Sequence, residues 1–240
     1  MATLVPDMPR EQPENFATDL AGMGNFFIDP AGAAKRVFSK WFWIGPVLLY
    51  SIVSITAGYL LTPMVRHVLE VSPIPSNLSP EQYQRNIEIG MLIQRIFVFL
   101  APVTAAALFA LSAVILLASS AILSIQTKFL WLFNFVSGCA LIQLLAPIAS
   151  VVILKGKGDV STMAELRPPL GLDIFLAEGT NKYLMALLGY FSVFEIWWVV
   201  MAVLIFRTAF RVSKAKAFAA ILPLILLSII FRLGGAVFQR

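Results

Sequence analysis

Five long apolar runs, at residues 42–61, 97–123, 129–154, 183–206 and 217–237, alternate with shorter polar or proline-marked segments. A helix rises about 1.5 Å per residue, so roughly 20 apolar residues cross a hydrocarbon core of about 30 Å. Each run reaches that length. Four carry no charge that must sit at mid-bilayer, and the fourth carries only Glu195 near its middle. Arg232 lies near the end of the last run, where a long side chain reaches the interface. The runs are apolar on every side, without the alternation of barrel strands, and backbone polar groups in lipid must be satisfied within the segment. The pattern predicts an all-α polytopic transmembrane bundle of five spans.

The segments between the runs refine this picture. Residues 1–24 combine Pro6, Pro9 and Pro13 with acids and read as a disordered polar lead, with residues 25–240 forming the membrane domain. Asp29 followed by Pro30 is a matched helix start, a capping side chain with proline at the first helical position. Beyond it, Ala34, Val37, Phe38 and Trp41 share one face while Lys35, Arg36 and Lys40 lie elsewhere. That spacing predicts a short amphipathic helix in the membrane interface with its bases toward phosphates, or else the first turns of a long span. Ser79-Pro80-Glu81-Gln82 is a second helix start, predicting a polar helix over residues 81–95 that leads into the second span. Only residues 124–128 join the second and third runs, which must then form an antiparallel hairpin. The loop 155–182 contains Arg167-Pro168-Pro169-Leu170-Gly171, which is not helical. The connection 207–216 holds Arg207, Arg211, Lys214 and Lys216 and no acid. Pro46, Pro102, Pro147 and Pro223 mark kinks in or near four spans.

Composition supports the membrane reading and narrows the partners. The chain of 240 residues is 59% hydrophobic, above the roughly 45–50% apolar share of soluble domains. Its net charge of +5 comes from bases that flank the runs rather than from one patch. Phospholipid headgroups and topology account for them, and nucleic acid is not an expected partner. Trp41, Trp43, Trp131 and Tyr183 stand at run edges as interfacial anchors. The single cysteine, Cys139, excludes a disulfide within the chain. The first 25 residues do not read as a secretory signal, so the first run is expected to stay as a span. Lys and Arg divide evenly between the two sides. The connections on the N-terminal side are the short, basic ones, which favours a cytoplasmic N-terminus and an external C-terminus.

Few residues offer chemistry. An ionised carboxylate in hydrocarbon is costly, so Glu195 must be protonated, paired or facing water. It is either a proton or cation site, or a carboxyl hydrogen-bonded to Asn134, Gln143 or a backbone carbonyl of a neighbouring helix; Trp197 adds a donor one half-turn on. Gly156-Lys157-Gly158-Asp159 matches an element of intramembrane aspartyl proteases, but that chemistry needs two carboxyls sharing a proton, and Asp159 lies in a polar loop. His67 is the single histidine, which excludes a multi-histidine metal site. No cofactor, metal site or catalytic constellation is expected.

Three features then coincide. Phe27-Ile28-Asp29-Pro30 leads through a basic amphipathic stretch into the first span. A proline-marked polar loop precedes Phe191-Ser192-Val193-Phe194-Glu195-Ile196-Trp197. The fourth run closes on Arg211-Val212-Ser213-Lys214-Ala215-Lys216-Ala217. Over roughly residues 25–237 the chain resembles the bacterial branch of the Yip (Ypt-interacting protein) family of five-span membrane proteins. It departs from the family in carrying Ser192 where an aspartate is frequent, with its carboxylate at Glu195. The resemblance implies a bacterial inner-membrane protein with a cytoplasmic N-terminus and no enzymatic activity, acting as a scaffold or accessory subunit with a protein partner or as a homo-oligomer.

Overall fold

The computed structural model describes residues 16–162, 165–166, 168, 170–176 and 180–237. The first fifteen residues of the lead and parts of the loop around Arg167 lie outside the described residues. Among the described residues the fold is all-α, with five helices long and apolar enough to cross a membrane. The chain is a multipass membrane protein.

Three of the five apolar runs divide between two helices and the first extends well past its end, and local chemistry explains where. The first run becomes helix α4 (Ile44–Val71), which continues some ten residues past the run through a half-exposed Arg66–Glu70 pair one turn apart, at 2.7 Å. Helix α5 (Pro80–Phe99) starts as the sequence predicts: the Gln82 N–H donates to Ser79 Oγ, and the Ser79 N–H donates back to the Gln82 side chain. It takes in the start of the second run and stops at Leu100. There Pro102, which has no N–H and crowds the carbonyl four residues back, resets the chain into α6 (Ala101–Ile122). The third run divides at Leu144 into α7 (Phe129–Gln143) and α8 (Leu145–Lys157) for the same reason, with Pro147 crowding the Gln143 carbonyl. The fourth divides at Phe191 and Ser192 into α9 (Lys182–Tyr190) and α10 (Val193–Phe210). The fifth is α11 (Lys214–Val237), which absorbs Pro223. The hairpin expected from residues 124–128 is present, with α6 packed along α7.

The N-terminal region departs most from the sequence reading. Phe16–Gly22 is helical (α1) rather than disordered, and is followed by α2 (Asn25–Ile28) and α3 (Pro30–Arg36). Asp29 does cap α3, accepting from the Ala31 N–H at 3.1 Å, with Pro30 first in the helix. The seat of α3, however, is the bundle. Ala33, Ala34 and Val37 are buried, and α3 lies along α10. At one end Phe27 meets Trp197 edge-on, and at the other Phe38 meets Phe210 and Trp131. Trp197 and Phe210 are separated by about 20 Å of helix at 1.5 Å per residue. Residues 16–38 therefore form a re-entrant hairpin. It enters beside Arg36, dips to Trp197 and returns, so that a Cβ on Gly22 would strike the Arg36 side chain.

The core lies where this hairpin meets α7 and α10. Phe26 stacks on Phe42 at 5.1 Å and presses on Gly138, where a Cβ would collide with its ring. Phe135, Phe206, Leu132, Ile142 and Ile205 close around them. Lipid tails are as apolar as leucine, so such burial stabilises the bundle through close packing more than through release from water.

Candidate functional site

Two polar clusters lie in the bundle, and together they hold all four residues singled out as a candidate polar site. Asn134, fully buried on α7, uses its whole amide. Its Nδ2 donates to the carbonyls of Val37 (3.1 Å) and Ser39, and its Oδ1 accepts from the Trp43 N–H at 3.1 Å. It thus satisfies the backbone where the chain leaves α3 and turns into α4, a stretch with no helical partners of its own. Asn134 is therefore not the partner of Glu195 that the sequence offers as one option. The residue belongs to the seat of the N-terminal hairpin. Trp197 serves the same seat, its indole N–H donating at 3.0 Å to the Phe27 carbonyl at the hairpin tip.

Glu195 belongs to the second cluster, and its position differs from the sequence reading. Because α10 begins at Val193, Glu195 stands in the first turn of its helix and not at mid-span. Ser192 caps the helix, its Oγ accepting the Glu195 N–H at 3.1 Å. The signal was legible: Ser192-x-x-Glu195 is the spacing of a capping box, a helix start hidden inside an apolar run. The expected Gln143 contact is present but long, with Nε2 at 3.4 and 3.5 Å from the two carboxylate oxygens. Gln143 reaches it because α7 ends at that residue.

Three groups complete this cluster. Tyr190, the last residue of α9, is buried and stands beside Glu195. Its hydroxyl has no closed hydrogen bond. The Arg232 guanidinium from α11 sits 5.9 Å above the Tyr190 ring. Asp173, on a short 3-10 turn (Leu172–Phe175), buries Oδ1 without a hydrogen-bond partner. Two glycines make this approach feasible. A Cβ on Gly171 would lie 2.7 Å from the Gly189 carbonyl, and one on Gly189 would crowd both Asp173 and Arg232. The Gly171–Ser192 bridge ties the turn to the break between α9 and α10. Asp173, Tyr190 and Arg232 carried no sequence signal, because three separate segments meet there.

The remaining residues of interest separate by end. Phe38, Trp131 and Phe210 converge, which places the start of α7 and the end of α10 together. The bases Lys35, Arg36, Lys40, Arg207, Arg211, Lys214 and Lys216 gather at that end, most of them exposed. Arg36 and Lys216 are half-buried, and Arg36 pairs at 3.3 Å with buried Asp19, which also accepts from the Ser39 hydroxyl at 2.7 Å. Arg211 ends α10 in the left-handed conformation, φ 53°. At the opposite end Asp159 is exposed and lies 3.8 Å from His67. Gly158 has a φ of 78° at the end of α8, so the Gly-Lys-Gly-Asp element is a helix stop. Among the described residues no cluster of three or more His, Cys, Asp or Glu has the makings of a metal site. Compared with known proteins, the chain matches no family model, no curated protein and no solved structure.

Proposed function

We propose that this protein is a non-enzymatic membrane scaffold or accessory subunit of the Yip type, working by helix packing and partner docking in a bacterial cytoplasmic membrane. One observation carries the reading. The single acid of the fourth apolar run is a first-turn residue of α10 held by the Ser192 cap and Gln143, in keeping with a role in fastening helices rather than passing ions. The basic end, with its short connections at residues 124–128 and 211–213, faces the cytoplasm, which puts the N-terminus inside and the C-terminus outside. The test is crosslinking followed by affinity capture from gently solubilised membranes, comparing wild type with Glu195→Gln. A stoichiometric partner or homo-oligomer is expected. Monomer alone under several mild conditions sinks the reading.

The competing function is transport along Glu195. What favours it is the convergence of Asp173, Tyr190 and Glu195, with two polar atoms in that group buried and unbonded. Proteoliposome flux that depends on pH and drops in Glu195→Gln marks a transporter. Equal flux in protein-free vesicles removes the idea.

A further inference from the structure

Among the described residues, helix α5 is the one long helix with a full apolar stripe left uncovered outside the spans. Tyr83, Ile87, Gln94 and Val98 turn toward α4: the Tyr83 hydroxyl donates to the Leu69 carbonyl at 2.8 Å, Gln94 donates to Thr62 at 3.2 Å, and Val98 abuts Gly58. On the opposite side Ile89, Leu92, Ile93, Ile96 and Leu100 are each 44–56% exposed. Their spacing of three and four residues draws a straight seam down the helix. Lipid alone is a poor match for this seam. Glu81, Arg85, Glu88 and Arg95 are exposed on the same helix, and α5 is not among the helices apolar enough to cross a membrane.

The charges beside the seam select the occupant. Glu88 and Arg95 sit seven residues apart on the same flank, and the other flank carries the uncharged Asn86, Gly90 and Phe97. When two copies of one helix pair antiparallel, like flanks meet. Glu88 of each copy then stands opposite Arg95 of the other, in two reciprocal pairs about a two-fold axis near Leu92. Parallel pairing sets the charged flank against the uncharged one and gains neither pair. We propose that α5 is a dimerisation helix, joining two copies of this chain through an antiparallel, two-fold seam at Ile89, Leu92, Ile93 and Ile96. The inference rests on the scaffold reading and names its partner as a second copy.

The test uses single cysteines in the full chain, with buried Cys139 replaced by alanine, in native membranes under mild oxidation. Leu92→Cys should crosslink to itself. Leu100→Cys should not, because an antiparallel pair centred near Leu92 holds the two Leu100 positions about 25 Å apart by helical rise. Glu88→Arg should cut the Leu92→Cys crosslink about tenfold, since it sets like charges together twice. Adding Arg95→Glu should restore it, which a merely misfolded variant does not do. Equal crosslinking at both positions means a parallel pair and overturns the proposal. So does an oligomer or captured partner without the Leu92→Cys crosslink, although the scaffold reading then survives. Monomer throughout, with no captured partner, overturns both.

Discussion

Two helices of this protein with proline at their first position announce themselves alike and end in opposite surroundings. Asp29-Pro30 starts α3 and Ser79-Pro80 starts α5, each with its capping side chain in place. Yet α3 is threaded between α7 and α10, whereas α5 lies on the outside of α4 with one side bare. The difference is in side-chain size and charge. Ala31, Gly32, Ala33 and Ala34 let α3 approach its neighbours closely, and Asn134 absorbs the polar backbone it brings along. The large, charge-bordered surface of α5 has no such groove to enter. A helix start signal fixes where a helix begins; the bulk of its faces decides how deep it goes.

Four measurements would break or sharpen that contrast. The largest effect is expected from Phe26→Ala, which empties the pocket beside Gly138 and Phe42. By analogy with other buried phenylalanines it should cost about 3–5 kcal/mol, read as lowered thermal stability in mild detergent. It should also open residues 25–38 to protease while α5 is unaffected. Next comes Asn134→Ala, which strands the Trp43 N–H and the Val37 and Ser39 carbonyls. A loss of about 2–3 kcal/mol is expected, again with the hairpin freed first. Should both variants leave the hairpin protected, its seat does not depend on these contacts. Ser79→Ala removes one half of a capping box and should cost about 1 kcal/mol, confined to the start of α5. Hydrogen exchange at Gln82 and Tyr83 reports it, and a matching change in the N-terminal hairpin would contradict the separation of the two regions.

The smallest effect lies outside both the hairpin and α5 and serves as a control. The Ser161 and Thr162 backbone N–H groups, bonded to Glu165, hold its carboxyl below the ordinary glutamate range. A lowered folded-state pKa means that the contribution is present above the ordinary range and is lost as pH falls through the lowered value. The Ser161 and Thr162 amide resonances should move across that acidic window, with no change at Asn25–Ile28. A titration confined to the ordinary glutamate range would show that these bonds do not form.

Much of the architecture is legible in the residue pattern, and the exceptions share a cause. Apolar runs report compatibility with lipid, so the bundle and its five spans follow directly. The same uniformity hides the joints. Nothing in the hydropathy of residues 183–206 marks the break at Ser192, and only the capping spacing to Glu195 does so. Pro102 and Pro147 are visible as kinks, but whether a kink bends or ends a helix depends on neighbours. The re-entrant hairpin was illegible for a stronger reason. Its partners Asn134 and Trp197 lie about a hundred residues or more away, and its own composition also suits an interface. Gln143 is legible as a partner of Glu195 because polar groups in an apolar run must seek one another; Arg232 and Asp173 are not, because either could have stayed in water.

The bond from Trp197 to Phe27 joins residues separated by 170 positions. During synthesis the segment holding Phe27 leaves the ribosome well before α10 exists. At ordinary elongation rates of about 5–20 residues per second, the delay is roughly 10–30 s. Over that interval Phe26 and Phe27 have no completed seat, and a segment made well before α10 finds its place only once α10 is there. Maturation of this protein therefore includes a late step, at the cytoplasmic side in the proposed orientation, in which a waiting amphipathic arm closes a bundle already threaded through the bilayer.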